Sequence, residues 1–404
     1  MNFQIPNIRH LRVFYEVDSC KTISKASERV FLSQPAVTQA IAKLEQVMGA
    51  QLFERKSNGM YTTEAGRALV VRVERALEFI ASGIRQALRS GNSPTRMMMD
   101  NIVHAVNTTQ LRALIAVTES ENFSIAAKTL GISQSSVHRA ARDLEKLLEI
   151  RFFEKSSRGI IATKAAQQLT KASKLAFLEI EQGWYEIAAL NNRDSGHIVV
   201  GAMALARTFL LAPTIIGFSH TNPDCTVSVY DGPYHHLLHH LLIGDIDLLV
   251  GALKESYPSD EIVQRKMFSL SLDLVARPDH PLARKEHVTI SDLKSSSWVL
   301  PSRGSPTWNI YESVFEAENM ALPARYIETG SQALSKELLL TGDYLSLMSV
   351  YQIEKELESG ALTIVNYPLE VSRPIGITTR KGWRPTRAQQ TFIELLEEQM
   401  KKAG

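Results

Sequence analysis

The chain has 404 residues, which predicts two to four domains at about 150 residues each, and its hydrophobic content of 44% is enough for real cores. It has no apolar run of about 18 residues and does not start with a basic and then apolar segment, so we expect no membrane span, no signal sequence and a cytoplasmic location. The net charge of +2 is uneven: residues 1–96 carry +6 (14 Lys+Arg against 8 Asp+Glu), residues 97–195 carry +1 (12 against 11) and residues 196–404 carry −5 (19 against 24). Clustered positive charge favours a phosphate backbone as the partner of the N-terminal region, although it is also typical of a solvated face.

Residues 33–45 predict a short helix with one apolar and one polar side. Ser33 is a good N-cap, and Pro35 suits the first turn because its missing N–H costs nothing there. At 3.6 residues per turn, the apolar side carries Val37, Ala40, Ile41 and Leu44, and the polar side carries Pro35, Thr38, Gln39, Ala42 and Lys43. This pattern is typical of the second helix of a helix-turn-helix, whose small polar groups reach base edges in a major groove. An ordinary surface helix is the alternative, but the recurrence of the same unit a hundred residues later favours the helix-turn-helix.

A wing and a long helix are predicted next. Two short apolar pieces flank a basic, glycine-containing turn within residues 49–63, a pattern that predicts a β-hairpin in which Arg55 and Lys56 touch phosphates. From Thr63 a helical pattern continues to the break at 90–94. A solitary helix of this length has too little surface to bury against, so we expect it to pair with another helix.

The same unit occurs twice, because shifting the chain by 100 residues aligns residues 11–69 with 111–169 without a gap, with 18 of 59 positions identical. Two copies are too few for a solenoid, so each copy is predicted to be a small domain. The polar positions of the second copy are Ser135, His138, Arg139 and Arg142, with Lys155 and Arg158 in its wing. Two interpretations compete: a second DNA reader with a different preference, since Arg and His partner guanine and phosphate, or a structural relic used for dimer contacts. The outward basic residues favour the reader, with half-sites that are not identical.

After a break at 191–196, strand and helix signals alternate. The predicted strands cover 197–201, 225–230, 247–250, 272–276, 298–300, 325–329, 345–348, 362–365 and 375–379. This alternation predicts an α/β sheet system with ligand sites at the carboxyl ends of strands.

Residues 8–90 resemble the N-terminal region of LysR-type transcriptional regulators. The resemblance rests on the string from Ala26 to Glu45, on Leu-Phe-Glu-Arg at 52–55, and on Thr-Glu-Ala-Gly at 63–66. It implies a winged helix-turn-helix with a dimerising long helix. It also implies that Gln34, Pro35, Thr38, Gln39 and Lys43 face DNA and that Arg55 and Lys56 hold its backbone. Residues 108–192 resemble the same N-terminal region a second time, and this duplication departs from the family pattern. In the second copy Pro35 is replaced by Ser135, and the glycine of Thr-Glu-Ala-Gly is replaced by Ala166.

Residues 197–385 resemble the LysR effector-binding domain, which has the type 2 periplasmic-binding-protein fold. The resemblance rests on Gly201, Pro213 and the strings at 244–247, 279–283 and 341–343. It implies two subdomains, 197–271 plus 371–404 and 272–370, with a cleft between them. The effector-binding candidates at strand ends are Met203, Arg207, Thr208, Ser302, Arg303, Ser305, Thr329, Ser331 and Ser349. The two arginines pair either with a ligand carboxylate or with a nearby acidic residue. The stretch 373–383 is similar to a branch that includes sugar-responsive regulators, which adds sugars to sugar acids and aromatic acids as effector classes.

The predicted architecture is therefore all-α plus α/β, with two winged helix-turn-helix domains (1–65 and 105–165), their linker helices (66–94 and 166–194) and an effector-binding domain (195–404). The predicted function is a sequence-specific, effector-controlled DNA-binding transcriptional regulator; the alternative is a small-molecule receptor whose helix-turn-helix units serve oligomerisation. The expected partners are double-stranded promoter or operator DNA, an effector such as a sugar or organic acid, RNA polymerase, and further copies in a homodimer or homotetramer. Because the chain carries two reading units, we expect dimers to suffice for a long operator.

Catalysis, cofactors and metals are not expected. The sequence has no Gly-x-Ser-x-Gly elbow, no His-Glu-x-x-His and no Walker loop. Its two cysteines, Cys20 and Cys225, form neither a disulfide framework nor a metal spacing. Four histidines at 235, 236, 239 and 240 make two i,i+4 pairs, but no carboxylate or cysteine completes a shell, so a solvated or interface helix is expected.

Overall fold

The computed structural model describes residues 3–93, 99–157, 159–191, 195–254, 260–369 and 371–403, with the backbone alone at 208, 402 and 403. The chain divides into two compact units, Met1–Ser195 and Gly196–Gly404. Among the described helices, none combines the length and the apolar character that a bilayer crossing requires.

In the N-terminal unit the same order of elements occurs twice. The first copy consists of α1 (Ile8–Cys20), α2 (Ile23–Arg29), α3 (Gln34–Met48), β1 (Phe53–Lys56), β2 (Gly59–Thr62) and α4 (Glu64–Ser90). A short helix, α5 (Met99–Ala105), follows. The second copy consists of α6 (Thr108–Ser120), α7 (Phe123–Leu130), α8 (Gln134–Leu148), β3 (Phe153–Ser156), β4 (Gly159–Ala162) and α9 (Lys164–Leu190). Each hairpin is antiparallel in the same register, so both copies are winged helix-turn-helix units.

Residues that are identical in the two copies make the same contacts. A carboxylate oxygen of Glu45 accepts hydrogen bonds from the backbone N–H groups of Leu52 and Phe53 at 2.8 and 3.3 Å. Glu145 makes the same pair of bonds in the second copy, at 2.8 and 3.2 Å. This carboxylate fixes the start of the wing to the C-terminal half of the preceding helix, which explains why Leu-Glu recurs at 44–45 and 144–145.

The glycine at the start of β2 is required by a close approach. Gly59 has a φ of +149°, and a Cβ there would lie 2.6 Å from the carbonyl oxygen of Lys21. The next residue, Met60, donates its backbone N–H to that same oxygen at 2.8 Å, so the wing is docked onto the end of α1. A larger residue in place of Gly59 would push the wing away from this carbonyl.

The long helices α4 and α9 pack antiparallel against each other within the chain. A Cβ on Gly83 would lie 2.3 Å from the Cβ of Ala172 and 3.3 Å from a methyl of Leu169. A Cβ on Gly183 would lie 3.0 Å from a methyl of Leu69, which is the counterpart of the Gly83–Leu169 contact a hundred residues away. One continuous hydrophobic cluster runs through both copies, and the copies therefore share a core although the sequence predicts two separate small domains.

Replacing Gly83 by alanine is expected to destabilise the N-terminal unit by about 1–3 kcal/mol, because the new methyl overpacks the contact with Ala172. Calorimetric unfolding of the full chain measures this. A matched control is Gly217→Ala, on a helix of the C-terminal unit where a Cβ would have nothing within 4 Å; we expect it to stabilise by about 0.5–1 kcal/mol. Equal effects of the two substitutions would contradict the close α4–α9 packing.

The C-terminal unit alternates strands and helices. Its helices are α10 (Ala212–Thr221), α11 (Tyr234–Ile243), α12 (Ile290–Ser295), α13 (Pro306–Glu316), α14 (Gln332–Thr341), α15 (Glu354–Glu358) and α16 (Arg387–Ala403). Its strands are β5 (Gly196–Ala202), β6 (Cys225–Asp231), β7 (Leu248–Ala252), β8 (Ile262–Ser271), β9 (Asp273–Ala276), β10 (Ser297–Leu300), β11 (Tyr326–Glu328), β12 (Tyr344–Met348), β13 (Thr363–Ile364) and β14 (Ser372–Arg380).

Two sheets give this unit its two subdomains. One sheet has the strand order β6-β5-β7-β14-β8 and the other has the order β11-β10-β12-β9-β13. In the first, β5 is parallel to β6 and β7, whereas β14 runs antiparallel to β7 and β8. The sequence did not predict β8, because its burial alternates weakly and its polar residues, Gln264, Arg265 and Lys266, resemble those of a loop.

Candidate nucleic-acid interface and effector cavity

The helix α3 has the two sides that its sequence predicts. Val37, Ala40 and Ile41 are 0–5% exposed and belong to the shared hydrophobic cluster. Ser33 occupies the predicted N-cap position and Pro35 lies in the first turn, although the Ser33 side chain accepts no capping hydrogen bond in the described structure. In the second copy Ser133 does accept a hydrogen bond from the backbone of Ser136 at 3.2 Å.

The polar side of α3 faces outward. Its exposed residues are Gln34, Pro35, Thr38, Gln39, Ala42 and Lys43. The Thr38 hydroxyl donates to the Gln34 carbonyl oxygen at 3.1 Å. Within the described part of the chain the side-chain amides of Gln34 and Gln39 form no hydrogen bond, so both stay available to an external partner.

The first wing presents two exposed cations. Arg55 and Lys56 lie at the end of β1, next to the turn of the hairpin. The Lys56 ammonium lies 3.7 Å from a Glu54 carboxylate oxygen and 5.5 Å from the centre of the Tyr61 ring. An exposed pair at 3.7 Å is weak, so a phosphate competes readily for this ammonium.

The corresponding face of α8 is exposed but chemically different. Ser135, His138 and Arg139 point outward, and the His138 ring packs on Phe123 with 5.0 Å between ring centres. Arg142 is exposed as well, but its guanidinium is paired with Glu145 at 2.6 Å. Arg139 is therefore the guanidinium of this face best placed to meet a base. In the second wing Lys155 is exposed, and Arg158 lies outside the described residues.

A buried ion cluster joins α4 to α9. The Arg72 guanidinium donates to Glu179 at 2.9 Å, to the Gln182 side-chain oxygen at 3.0 Å and to Glu186 at 2.5 Å, and Arg75 reaches Glu179 at 2.7 Å. The Arg72 and Glu179 side chains are 3% and 6% exposed. Burial lowers the pKa of Arg72, but the bonds to Glu186 and Glu179 outweigh it and the pKa is raised.

This cluster breaks the repeat's symmetry. A hundred residues away, Arg72 corresponds to Ala172 and Glu179 corresponds to Phe79. A pair of two α4 helices would bury two Arg72 side chains opposite Phe79, and a pair of two α9 helices would bury two Glu179 side chains opposite Ala172. Both alternatives leave buried charges without partners, so the sequence selects the pairing of α4 with α9.

In the C-terminal unit a cavity of about 130 Å³ opens between the two subdomains. Its walls come from the ends of β5 and β7 and from β14 on one side, and from the starts of α13 and α14 and the end of β12 on the other. The lining residues are Met203, Ala204, Leu205, Ala252, Pro301, Ser305, Pro306, Thr307, Thr329, Gly330, Gln332, Ser335, Ser346, Leu347, Met348, Gln352 and Arg373.

The structure places three of the predicted effector-binding residues on these walls: Met203, Ser305 and Thr329. The other predicted residues are not part of its lining. Arg207 pairs with Asp231 at 2.8 Å, and the Arg303 guanidinium donates to the Tyr326 hydroxyl at 2.6 Å, so both cations have protein partners.

The remaining predicted positions have their own roles. Ser331 accepts from the Leu334 N–H at 3.3 Å as the N-cap of α14, and Ser349 is fully buried beside the cavity with no hydrogen-bond partner for its hydroxyl in the described structure. Ser302 is exposed, and Thr208 lies in the π-helical turn Arg207–Leu211, with its side chain outside what the structure describes.

Sequence reasoning missed Arg373, which lines the cavity from β14. It is 8% exposed and its guanidinium donates to the Thr307 hydroxyl at 2.7 Å, while its Nε has no partner in the described structure. Burial lowers the pKa of Arg373 to about 10. The sequence shows only that Arg373 is a polar residue just before a predicted strand, and this position does not distinguish a buried cation from a solvated one.

Two family models match the chain. The model of the bacterial regulatory helix-turn-helix protein, lysR family, matches residues 8–67 and again residues 108–167. The model of the LysR substrate binding domain matches residues 191–401, more than half of the chain.

Individual proteins match over long stretches. The HTH-type transcriptional regulator GalR of Pseudomonas putida is 28% identical over 383 residues, 95% of this chain and 94% of that protein. The solved structure of ArgP from Mycobacterium tuberculosis has a TM-score of 0.59 at 17% identity, and covers 72% of this chain and 96% of that chain. Full-length LysG from Corynebacterium glutamicum with bound effector Arg has a TM-score of 0.54 at 17% identity, covering 74% and 99%. These two structures show the fold. They leave about a quarter of this chain unmatched, whereas the GalR match extends almost end to end.

Proposed function

The chain belongs to the LysR family of transcriptional regulators, and from this premise we propose that one chain reads two different DNA half-sites, one with α3 and one with α8. As a member of this family it is a DNA-binding regulator controlled by a small-molecule effector, and not an enzyme. The observation that carries the proposal is that α3 and α8 each bury their apolar side in one shared core and expose their polar side.

The two exposed faces favour different bases. A glutamine side chain such as that of Gln39 makes a bidentate pair with adenine N6 and N7, whereas an arginine such as Arg139 makes one with guanine O6 and N7. Gln34, Pro35, Thr38 and Lys43 complete the first face, and Ser135, His138 and Arg142 complete the second. We therefore propose an operator whose halves differ in sequence, with Arg55, Lys56 and Lys155 on its phosphates.

The α4–α9 pairing supports a single-chain reading unit. The resemblance to LysR-type regulators implies a long helix that joins two chains. Here α4 is already paired with α9 of the same chain, and the Arg72–Glu179 cluster disfavours the pairing of either helix with the same helix of a second chain. LysR regulators form oligomers. We propose that a dimer of this chain presents four reading helices and suffices for a long operator.

The remaining assignments follow from the regulator function. We propose that Met203, Ser305 and Thr329 contact an effector in the cavity of the C-terminal unit, with the other predicted residues at its rim. The string at 373–383 supports a place near the sugar-responsive branch of the family. A regulator of promoters acts on RNA polymerase and works in the cytoplasm, where bacterial DNA is transcribed.

The test is binding of the full chain to duplexes from its own promoter region, measured by fluorescence anisotropy at physiological salt. We expect the affinity to exceed that for random duplex by at least about 10³-fold, the lower limit for specific regulators. Equal affinity for promoter and random duplex would instead support a receptor whose helix-turn-helix units serve oligomerisation.

Removing one wing cation is expected to weaken all DNA binding similarly. Lys56→Ala should lower the affinity for operator and random duplex by the same factor and reduce the slope of log affinity against log salt by about 1, because one phosphate contact is lost. Lys266→Ala, which removes an exposed cation from the C-terminal unit, is the charge-matched control and should leave the slope unchanged. A loss confined to the operator would show that Lys56 reads bases.

A further inference from the structure

The cavity of the C-terminal unit holds a cation that the protein leaves uncompensated. Arg373 is more than nine-tenths buried, its Nε–H has no partner in the described structure, and its guanidinium donates to the neutral hydroxyl of Thr307. Among the described residues that line the cavity, Arg373 is the only one with an ionisable side chain.

A buried guanidinium without a carboxylate is costly to fold. Burial of a charge is tolerated when the charge is paired, and here the described walls offer only hydroxyls, amides and apolar groups. Burial away from water lowers the pKa of Arg373. The missing countercharge is supplied if the occupant of the cavity is itself an anion.

We propose that the effector is a small hydroxylated monocarboxylate whose carboxylate pairs with Arg373. The proposal rests on the proposed function of this cavity as the effector site and names the class of molecule bound there. A planar guanidinium with a free N–H matches a carboxylate in geometry and in charge, which a neutral sugar does not.

Two helix ends reinforce the preference for an anion. α13 begins after Ser305 and α14 begins after Ser331, and residues of both first turns, Thr307 and Gln332, lie on the cavity wall. Helix N-termini carry a partial positive charge, which adds to that of Arg373.

The other polar groups of the wall fit hydroxyls. Thr329, Gln332 and Gln352 offer neutral donors and acceptors, and the volume of about 130 Å³ sets the size of the occupant. A protein cavity of about 150 Å³ accommodates benzene, so this one fits a single six-membered ring or a chain of about six carbons. Sugar acids and hydroxylated aromatic acids share this chemistry.

The experiment compares acids with neutral counterparts of the same shape. Thermal shift and titration calorimetry of the full chain use gluconate against glucose and 4-hydroxybenzoate against 4-hydroxybenzamide. We expect one of the two acids to raise the melting temperature and to bind at least 10-fold more tightly than its neutral counterpart; which acid does so identifies the source of the carboxylate. Equal binding of acid and neutral counterpart, or no binding of either acid, would overturn the proposal.

Substitutions then assign the carboxylate to its partner. Arg373→Met should weaken binding of that acid at least 100-fold without lowering the melting temperature of the ligand-free chain, because it removes an unpaired buried charge. Thr307→Val, which keeps the cation and removes its hydroxyl partner, should weaken binding about 10-fold. A drop in ligand-free stability with unchanged acid affinity would make Arg373 a structural residue and refute the assignment.

The operator affinity of the same preparations reports the proposed function separately. Both substitutions lie in the C-terminal unit and leave the sequences of α3 and α8 unchanged, so promoter preference is expected to persist in both variants. Retained promoter preference with no acid binding refutes the anionic effector alone, whereas absent promoter preference in the unsubstituted chain refutes the proposed function itself.

Discussion

Replacing Arg72 by alanine is expected to destabilise the N-terminal unit by about 3–5 kcal/mol, the cost of leaving a buried carboxylate without its partner. Glu179 is 6% exposed, and in this variant only Arg75, at the edge of the cluster, remains to balance it. The measurement is calorimetric unfolding of the full chain, in which the transition of the N-terminal unit should move to lower temperature while that of the C-terminal unit stays in place.

Two further variants make this result specific to the buried pair. Arg75→Ala, which removes a side chain that is 24% exposed from the same carboxylate, should cost about 1 kcal/mol or less. Replacing Arg72 and Glu179 together by methionine should recover most of the loss, because both buried charges disappear and the volume is kept. A loss for Arg72→Ala no larger than that for Arg75→Ala would contradict the selective pairing of α4 with α9.

Alanine substitutions in the two recognition helices are expected to act on different halves of the operator. Gln39→Ala and Arg139→Ala should each cost about 1–3 kcal/mol of specific binding, because each removes a bidentate contact to a base edge. Affinity selection of randomised duplexes with each variant measures this, and each variant should relax base preference at its own positions only.

Arg142→Ala is the matched control for the second helix. Its guanidinium is held by Glu145 on its own helix, so its removal should change base preference less than Arg139→Ala does. If Arg139→Ala left base preference unchanged at every position, the second copy would be a structural relic that contributes dimer contacts and no reading.

Much of the N-terminal unit could be predicted from periodicity and repetition. The sides of α3 follow directly from the spacing of Val37, Ala40, Ile41 and Leu44, and the gapless shift by 100 residues locates the second unit. The partner of the long helix could not be predicted, since an apolar stripe shows that a helix is paired but not with what. Arg72 and Glu179 resemble solvated surface charges until α4 and α9 are placed in register.

The cavity shows a similar limit. Arg207 and Arg303 follow predicted strands, and this position favours them as partners of a ligand carboxylate. Their partners in the structure, Asp231 and Tyr326, are distant in sequence, so the sequence pattern does not reveal these pairs. Arg373 lies just before a predicted strand, and only the packing of β14 against the other subdomain reveals that it is buried. Burial of a charge depends on tertiary contacts, which local sequence patterns do not encode.

The number of DNA half-sites that each bound chain protects shows whether α3 and α8 both read DNA. Hydroxyl-radical footprinting locates the protected backbone segments on a single operator, and sedimentation of the same complex counts the chains. We expect two protected segments of unlike sequence for every chain bound. One protected segment per chain, or two segments of the same chain that repeat one sequence in direct or inverted orientation, would contradict this expectation.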